Sequence, residues 1–296
     1  MKKALIQLHI AVFLAGFTAI LGKLIGLNES LLVWYRLLLT VIALAIILYY
    51  KGQLKKIPRK EMLQIFGVGG IVAFHWLTFY GSVKYANVSV AVVCLAGSGF
   101  FTAFLEPLIF NKKIKLVEVL LGILAIAGIY IIFDFHPQYK VGIVFGILAA
   151  LGSSLFPIFN KRLIVRYSPL VLTFYELSGG ILVLTLVVPL YLYYFPATYY
   201  LPTILDGWWL LVLALLCTVV CFDLQLNALK KISPFTSNLA YNLEPVYGII
   251  FAFAIFQENK SLNPQFYGGL VLIILAVALQ TFRITRLKPL PVLHID

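Results

Sequence analysis

Five charged side chains stand inside long apolar runs of this chain: Arg36, Glu106, Glu176, Asp223 and Glu244. If those runs lie in hydrocarbon, each charge costs from about 2.5 to above 10 kcal/mol, so each must face a cavity or a partner. Glu244 is the leading candidate for binding a substrate or a proton. By the 3.6-residue period, Ser237, Tyr241, Glu244 and Gly248 share one face, with Asn238 and Asn242 beside it. Pro245 follows directly, removes one backbone donor and frees a carbonyl, as happens where a helix lines a wet cavity. The other reading of Glu244 is a carboxylate bonded to a neighbouring helix.

Arg36 reads either as a clamp for a substrate carboxylate or as half of a structural ion pair, its head free to snorkel to the nearby surface. Glu176 reads as a substrate or proton contact or, the commoner case, as an acid without a functional role, with Thr173 and Gly180 on its face. Glu106, ahead of Pro107, reads as an acid close enough to water to stay charged, and Asp223 as a gating or packing group. His75 could carry a coupling proton, though a packing histidine is the commoner case. Trp34, Trp76 and Tyr80 could line a cavity or simply pack. No His-Glu-x-x-His, no Gly-x-Ser-x-Gly, no close aspartate pair and no phosphate-binding Gly-Lys-Ser/Thr loop occurs. No metal, no cofactor and no enzyme activity is therefore expected. Cys94, Cys217 and Cys221 lie in apolar runs and read as core thiols.

The elements that must hold these residues follow from composition. Of 296 residues, 62% are hydrophobic and 11% charged, and the mean hydropathy is +1.01. A soluble fold of this size cannot bury so much apolar surface, so an all-α integral membrane protein is expected. Apolar spans run near 4–22, 31–50, 63–83, 88–110, 116–133, 141–160, 170–195, 207–229, 234–257 and 264–282. Ten helices leave short connections and no soluble domain within this chain. Gly142 and Gly146 mark close helix packing in the sixth span. Tyr191, Tyr193, Tyr194, Tyr199, Tyr200, Trp208 and Trp209 cluster at one loop as an interfacial belt.

Basic residues orient the spans. On the N-terminal side lie eighteen Lys and Arg, among them Lys51 to Lys60, Lys112 to Lys115 and Arg283 to Lys288; the other side holds only Lys23, Lys84, Lys140 and Lys260. Positive loops stay cytoplasmic, so both termini are expected in the cytoplasm. The formal charge of +12 thus reflects topology and contact with anionic lipid, not nucleic acid. The chain also looks duplicated. Trp34-Tyr35-Arg36 matches Phe174-Tyr175-Glu176, Lys23 matches Lys161, Lys84 matches Lys230, and Gly122 matches Gly269, at offsets of 138 to 147 residues. Five spans per half is odd, so the second half must enter the membrane inverted, an arrangement used by transporters.

With these features the chain resembles the EamA-type branch of the drug/metabolite transporter superfamily over essentially its whole length. The most specific residues are Ser233-Pro234, Leu243-Glu244-Pro245-Val246 and Phe256-Gln257-Glu258, with Gln257 where the family usually has glycine. In the first half Ser98-Gly99 stand at the positions aligned with Glu244-Pro245, and Glu106-Pro107 lies eight residues later. The resemblance implies two inverted five-helix repeats, here 1–134 and 135–296, both termini cytoplasmic, and movement of a small metabolite across the inner membrane by alternating access, with protons as a possible coupling ion. An intramembrane enzyme and a non-transporting membrane partner are the competing readings.

Overall fold

The structure, a computed structural model, describes residues 2–54, 57–111, 113–135, 137–164, 166–229, 241 and 243–286. Among these residues the fold is all-α. The helices are α1 (Lys2–Leu24), α2 (Glu29–Tyr50), α3 (Arg59–Tyr85), α4 (Val88–Leu95), α5 (Ser98–Phe110), α6 (Leu116–Phe135), α7 (Lys140–Leu163), α8 (Pro169–Tyr194), α9 (Ile204–Ala214), α10 (Cys221–Leu229), α11 (Glu244–Phe256) and α12 (Pro264–Arg286). Seven stretches are long and apolar enough to cross a membrane: 2–24, 29–50, 59–85, 88–110, 140–160, 169–194 and 204–225. Shorter apolar helices at 116–132, 244–256 and 264–276 fall where the other three expected spans lie.

Two spans read as continuous are not regular helices. The fourth breaks between α4 and α5 at Ala96-Gly97, where a Cβ on Gly97 would stand 3.1 Å from the Cys94 carbonyl. The eighth carries a π-helical segment, Leu215–Val220, between α9 and α10. The expected ninth span, 234–257, is described only in part. Residues 234–240 and 242, with the candidate Asn242, lie outside the described residues. Glu244 is the first residue of α11, with Pro245 in the first turn.

Local rules account for the ends. Asn28 accepts from the Ser30 amide and Asn87 from the Val90 amide, at 2.9 and 2.8 Å. Thr203 and Asp206 form a capping box at the head of α9. α5 and α11 are both 13 residues long, and both stop at a left-handed residue, Asn111 (φ 51°) and Gln257 (φ 54°).

Glycines set the closest crossings. α3 lies between α7 and α8. A Cβ on Gly69 would run into the Glu176 carbonyl, and one on Gly180 would stand 2.8 Å from the Gly69 carbonyl. Gly142 and Gly146 let α7 reach Ala86 and Cys94, the close packing expected of them. α6 pairs with α12 where Gly128 and Gly269 each face the other's carbonyl. α1 packs on α10 and α11, and α2 on α8 and α9. Large apolar side chains also cover the outside, Leu186 being 81% exposed. That surface suits hydrocarbon contact.

Candidate functional site

The site is built around Arg36. α2 delivers it to the interior, 3% exposed, so the expected snorkelling to the surface does not occur. Its side chain is held from three directions. Nε donates to Thr218 Oγ1 at 3.0 Å, Nη1 donates to Tyr80 Oη at 2.8 Å, and the guanidinium lies 3.6 Å from the centre of the Trp76 ring. Trp76 and Tyr80 are one turn apart on α3, which puts both on one face. Thr218 comes from the π segment, where the wider turn lets its hydroxyl also donate to the Leu213 carbonyl, five residues back, at 2.9 Å. Such bulges recur at functional sites because they re-aim a side chain without ending the helix. Gly22 of α1 fixes the Tyr80 ring, since a Cβ there would overlap it.

No carboxylate of a described residue lies within 4.0 Å of Arg36. The ion pairs among those residues lie elsewhere: Lys23–Glu258, Lys115–Glu118, Arg166–Glu61 and Arg283–Glu118. The stretch 230–242 contains no acidic residue. Glu244 is the carboxylate whose field reaches Arg36, from beyond ion-pair distance. It is half-buried at the N-terminus of α11, where the helix dipole favours a negative charge. Tyr241 is half-buried near Glu244, its hydroxyl 3.9 Å from the Cys221 sulfur; that thiol donates to the Ala11 carbonyl at 3.3 Å. The cysteines are packing groups, as their surroundings suggested.

The other expected site residues are dispersed. His75 places Nδ1 2.8 Å from the Ala149 carbonyl, which requires the proton on that nitrogen and ties α3 to α7. Glu176 lies in α8 against Gly69 and Asn160, apart from the Arg36 contacts. Glu106 and Pro107 lie within α5, the proline buried and the acid half-buried. Asp223 is half-buried in α10 beside Phe222, which approaches Trp76 at 6.3 Å between ring centres. Trp34 donates to Thr185 Oγ1 and takes no part in the Arg36 cluster. Among the described residues no group of three His, Cys, Asp or Glu could hold a metal ion.

One further buried acid was marked in the sequence only as part of Phe256-Gln257-Glu258. Glu258, 4% exposed, accepts from the Val88 amide (3.1 Å), the Ser89 amide (2.9 Å), the Ser89 hydroxyl (2.7 Å) and Lys23 (2.7 Å). It caps α4 from the far end of α11 and ties both to α1. Asp206 does similar work nearby, accepting from the Gly26 amide and Tyr199, while Lys84 donates to the Ile25 carbonyl and Tyr191 to Glu29. Burial, then the Asp206 carboxylate, hold the Tyr199 phenol up at about 12, so it stays a donor at physiological pH. Together these contacts bind the loops at the Lys23 end of the bundle to one another.

The sequence pattern of the EamA-like transporter family matches residues 2–134 and again 140–282. An uncharacterized transporter of Haemophilus influenzae is 28% identical over 135 residues, 42% of this chain and 44% of that protein, so the alignment spans less than half of that relative. Two Bacillus subtilis proteins align over more. The uncharacterized transporter YetK is 25% identical over 86% of this chain and 80% of its own, and YxxF is 23% identical over 95% and 90%. A solved crystal structure superposes with a TM-score of 0.62 at 14% identity, over 96% of this chain and 99% of that one, and so shares the fold.

Proposed function

The chain belongs to the EamA-like transporter family, a multi-pass membrane protein, and from that premise we propose that it carries a small metabolite bearing an anionic group across the inner membrane, by alternating access around Arg36. The observation that carries this reading is the state of Arg36. It is buried, stacked and doubly bonded, yet has no counter-ion among the described residues. A buried guanidinium left unpaired is costly in a permanent structure and useful in a site that a substrate completes. Thr218 comes from one half of the chain and Trp76 and Tyr80 from the other, so a relative movement of the halves changes the grip on Arg36. Glu244, across from the guanidinium, is the second contact. It either meets a cationic group of the same substrate or returns toward Arg36 when the substrate leaves. Tyr241 and Asn242 are proposed to flank it, and Pro245 to keep the first turn of α11 open.

Two inverted repeats, 1–134 and 135–296, are part of the same proposal. Supporting it, α1 packs on α10 as α7 packs on α3, and α2 packs on α9 as α8 packs on α3. The pairs α2–α8 and α6–α12 each join equivalent helices of the two halves. α5 and α11 match in length and in their left-handed caps. Both termini would then face the cytoplasm, and the bonded loops around Glu258 and Asp206 would close the opposite side.

The test is reconstitution in liposomes loaded with a pooled metabolite mixture, with efflux followed by mass spectrometry. Selective loss of anion-bearing compounds, abolished by Arg36→Met and slowed by Glu244→Gln, is expected. Selective loss of compounds without an anionic group would overturn the assignment to Arg36. A Glu244→Gln protein moving the same compounds at wild-type rates at every pH would remove Glu244 from the mechanism.

A further inference from the structure

Away from the Arg36 cluster, one buried acid has no use in the scheme above. Glu176 is 2% exposed, and its Oε1 has no hydrogen-bond partner. The side chain facing it is Asn160 of α7, whose own buried Oδ1 is likewise without a partner. On its other side the helix backbone is closed off. Gly69 of α3 presses on the Glu176 carbonyl, and Phe66 fills the space beside Gly179. The helices packed against α8 also carry titratable groups: His75 and Glu61 on α3, Arg36 and Glu29 on α2, Asp223 on α10. None of them supplies a charge or contact to Glu176. Glu61 is taken by Arg166 and Tyr167, Glu29 by Tyr191 and His75 by Ala149.

The geometry points to a proton-binding site shared by Glu176 and Asn160. A carboxylate has only acceptors, while a carboxamide has one acceptor oxygen and a donor nitrogen. Ionised, Glu176 leaves both Oε1 and the amide oxygen unsatisfied. With one proton added, the acid O–H donates to Asn160 Oδ1 and the acid carbonyl can accept from Asn160 Nδ2, so a single hydrogen satisfies both orphaned oxygens. Nothing else is consumed: one proton from water converts the carboxylate to the acid, and its return regenerates the carboxylate. A metal cation is a poorer fit, because the hard cations take about six oxygens and only two are free here.

Glu176 is seven residues from the start of α8, roughly 10 Å along the helix from the Pro169 end at 1.5 Å per residue. That end is its short route to water. α3 connects this site to the Arg36 cluster, since it carries Gly69 against Glu176 and Trp76 and Tyr80 against Arg36. Coupling between the two rests on the transport reading; the proton site itself does not.

Infrared spectra of the purified protein in proteoliposomes at pH 7, in light and heavy water, test the site without any substrate. The carbonyl stretch of a protonated, hydrogen-bonded carboxyl is expected in the wild type and in Glu244→Gln, and is expected to be lost in Glu176→Gln. Asn160→Leu removes the bonded amide and should shift the band to higher frequency. The site is overturned if wild type shows no protonated carboxyl at pH 7, if the band survives Glu176→Gln, or if it vanishes with Glu244→Gln alone. Should Glu176→Gln fail to fold, Asn160→Leu decides: an unmoved band overturns the proposal. Absence of transport with the band present would sink the transport reading and leave the proton site standing.

Discussion

In the reading proposed for Arg36, the residue is kept for binding rather than for folding. A desolvated guanidinium over an indole gains about 2 kcal/mol, and its bonds to Tyr80 and Thr218 add to that. These gains offset part of the cost of burying the charge, which a pre-formed ion pair would otherwise have to meet. Arg36→Met keeps the stem's volume and removes the charge. It should leave thermal stability in detergent unchanged or raised, while transport is lost. A structural ion pair would behave in the opposite way, with a loss of about 3–5 kcal/mol on truncation; a large fall in melting temperature in Arg36→Met would therefore assign Arg36 to the scaffold. Depth in an apolar run was enough to single out Arg36 and Glu244 in the sequence. The contacts of Arg36 were not legible, because Tyr80, though a cavity candidate, and Thr218 meet it across 44 and 182 residues of chain. The contacts of Glu258 were hidden for the same reason: its partners, Lys23, Val88 and Ser89, lie in the other half.

At the scale of helices, apolar length showed where the spans run, but not where they deviate from the α-helix. Neither Ala96-Gly97 nor Leu215–Val220 contains a proline, so the break and the π segment left no strong mark in the sequence, and both are settled by packing against neighbouring helices. Glycine spacing was a better guide, as Gly142 and Gly146 show. The crossing of α3 and α8 permits a paired test. Gly69→Ala places a methyl group against the Glu176 backbone, which cannot yield as a side-chain end would, and should cost about 1–3 kcal/mol. Gly67→Ala, two residues away with open space around it, should be neutral or gain up to about 1 kcal/mol from helix propensity. Equal unfolding curves for the two variants would refute the backbone contact. A second test concerns the cap on α4. Glu258→Ala strips the carboxylate from two backbone amides and from Lys23, and by the measure of a broken buried pair should cost about 3 kcal/mol. An unfolding midpoint equal to wild type would show that α4 holds its start without the acid.

Across the whole molecule, the distribution of charge and the packing of helices bear on one question, the orientation of each half. Eighteen basic residues fall on one side of the expected ten-span map and four on the other. A single span added or removed within the chain would exchange the sides of every later loop and weaken that bias. Two of the four lysines on the sparse side tie separate segments together, Lys23 with Glu258 and Lys84 with the Ile25 carbonyl, which gives those two a reason to be there despite the rule that keeps positive loops in the cytoplasm. A reporter fused after Lys288 should therefore be cytoplasmic, and one inserted in the 196–202 loop should lie outside. Cytoplasmic signal from both would mean an odd number of spans between them has been miscounted, and the second half could no longer be the inverted copy of the first. Outside signal from the first fusion would overturn the even count and, with it, the closed side assigned to the loops around Glu258.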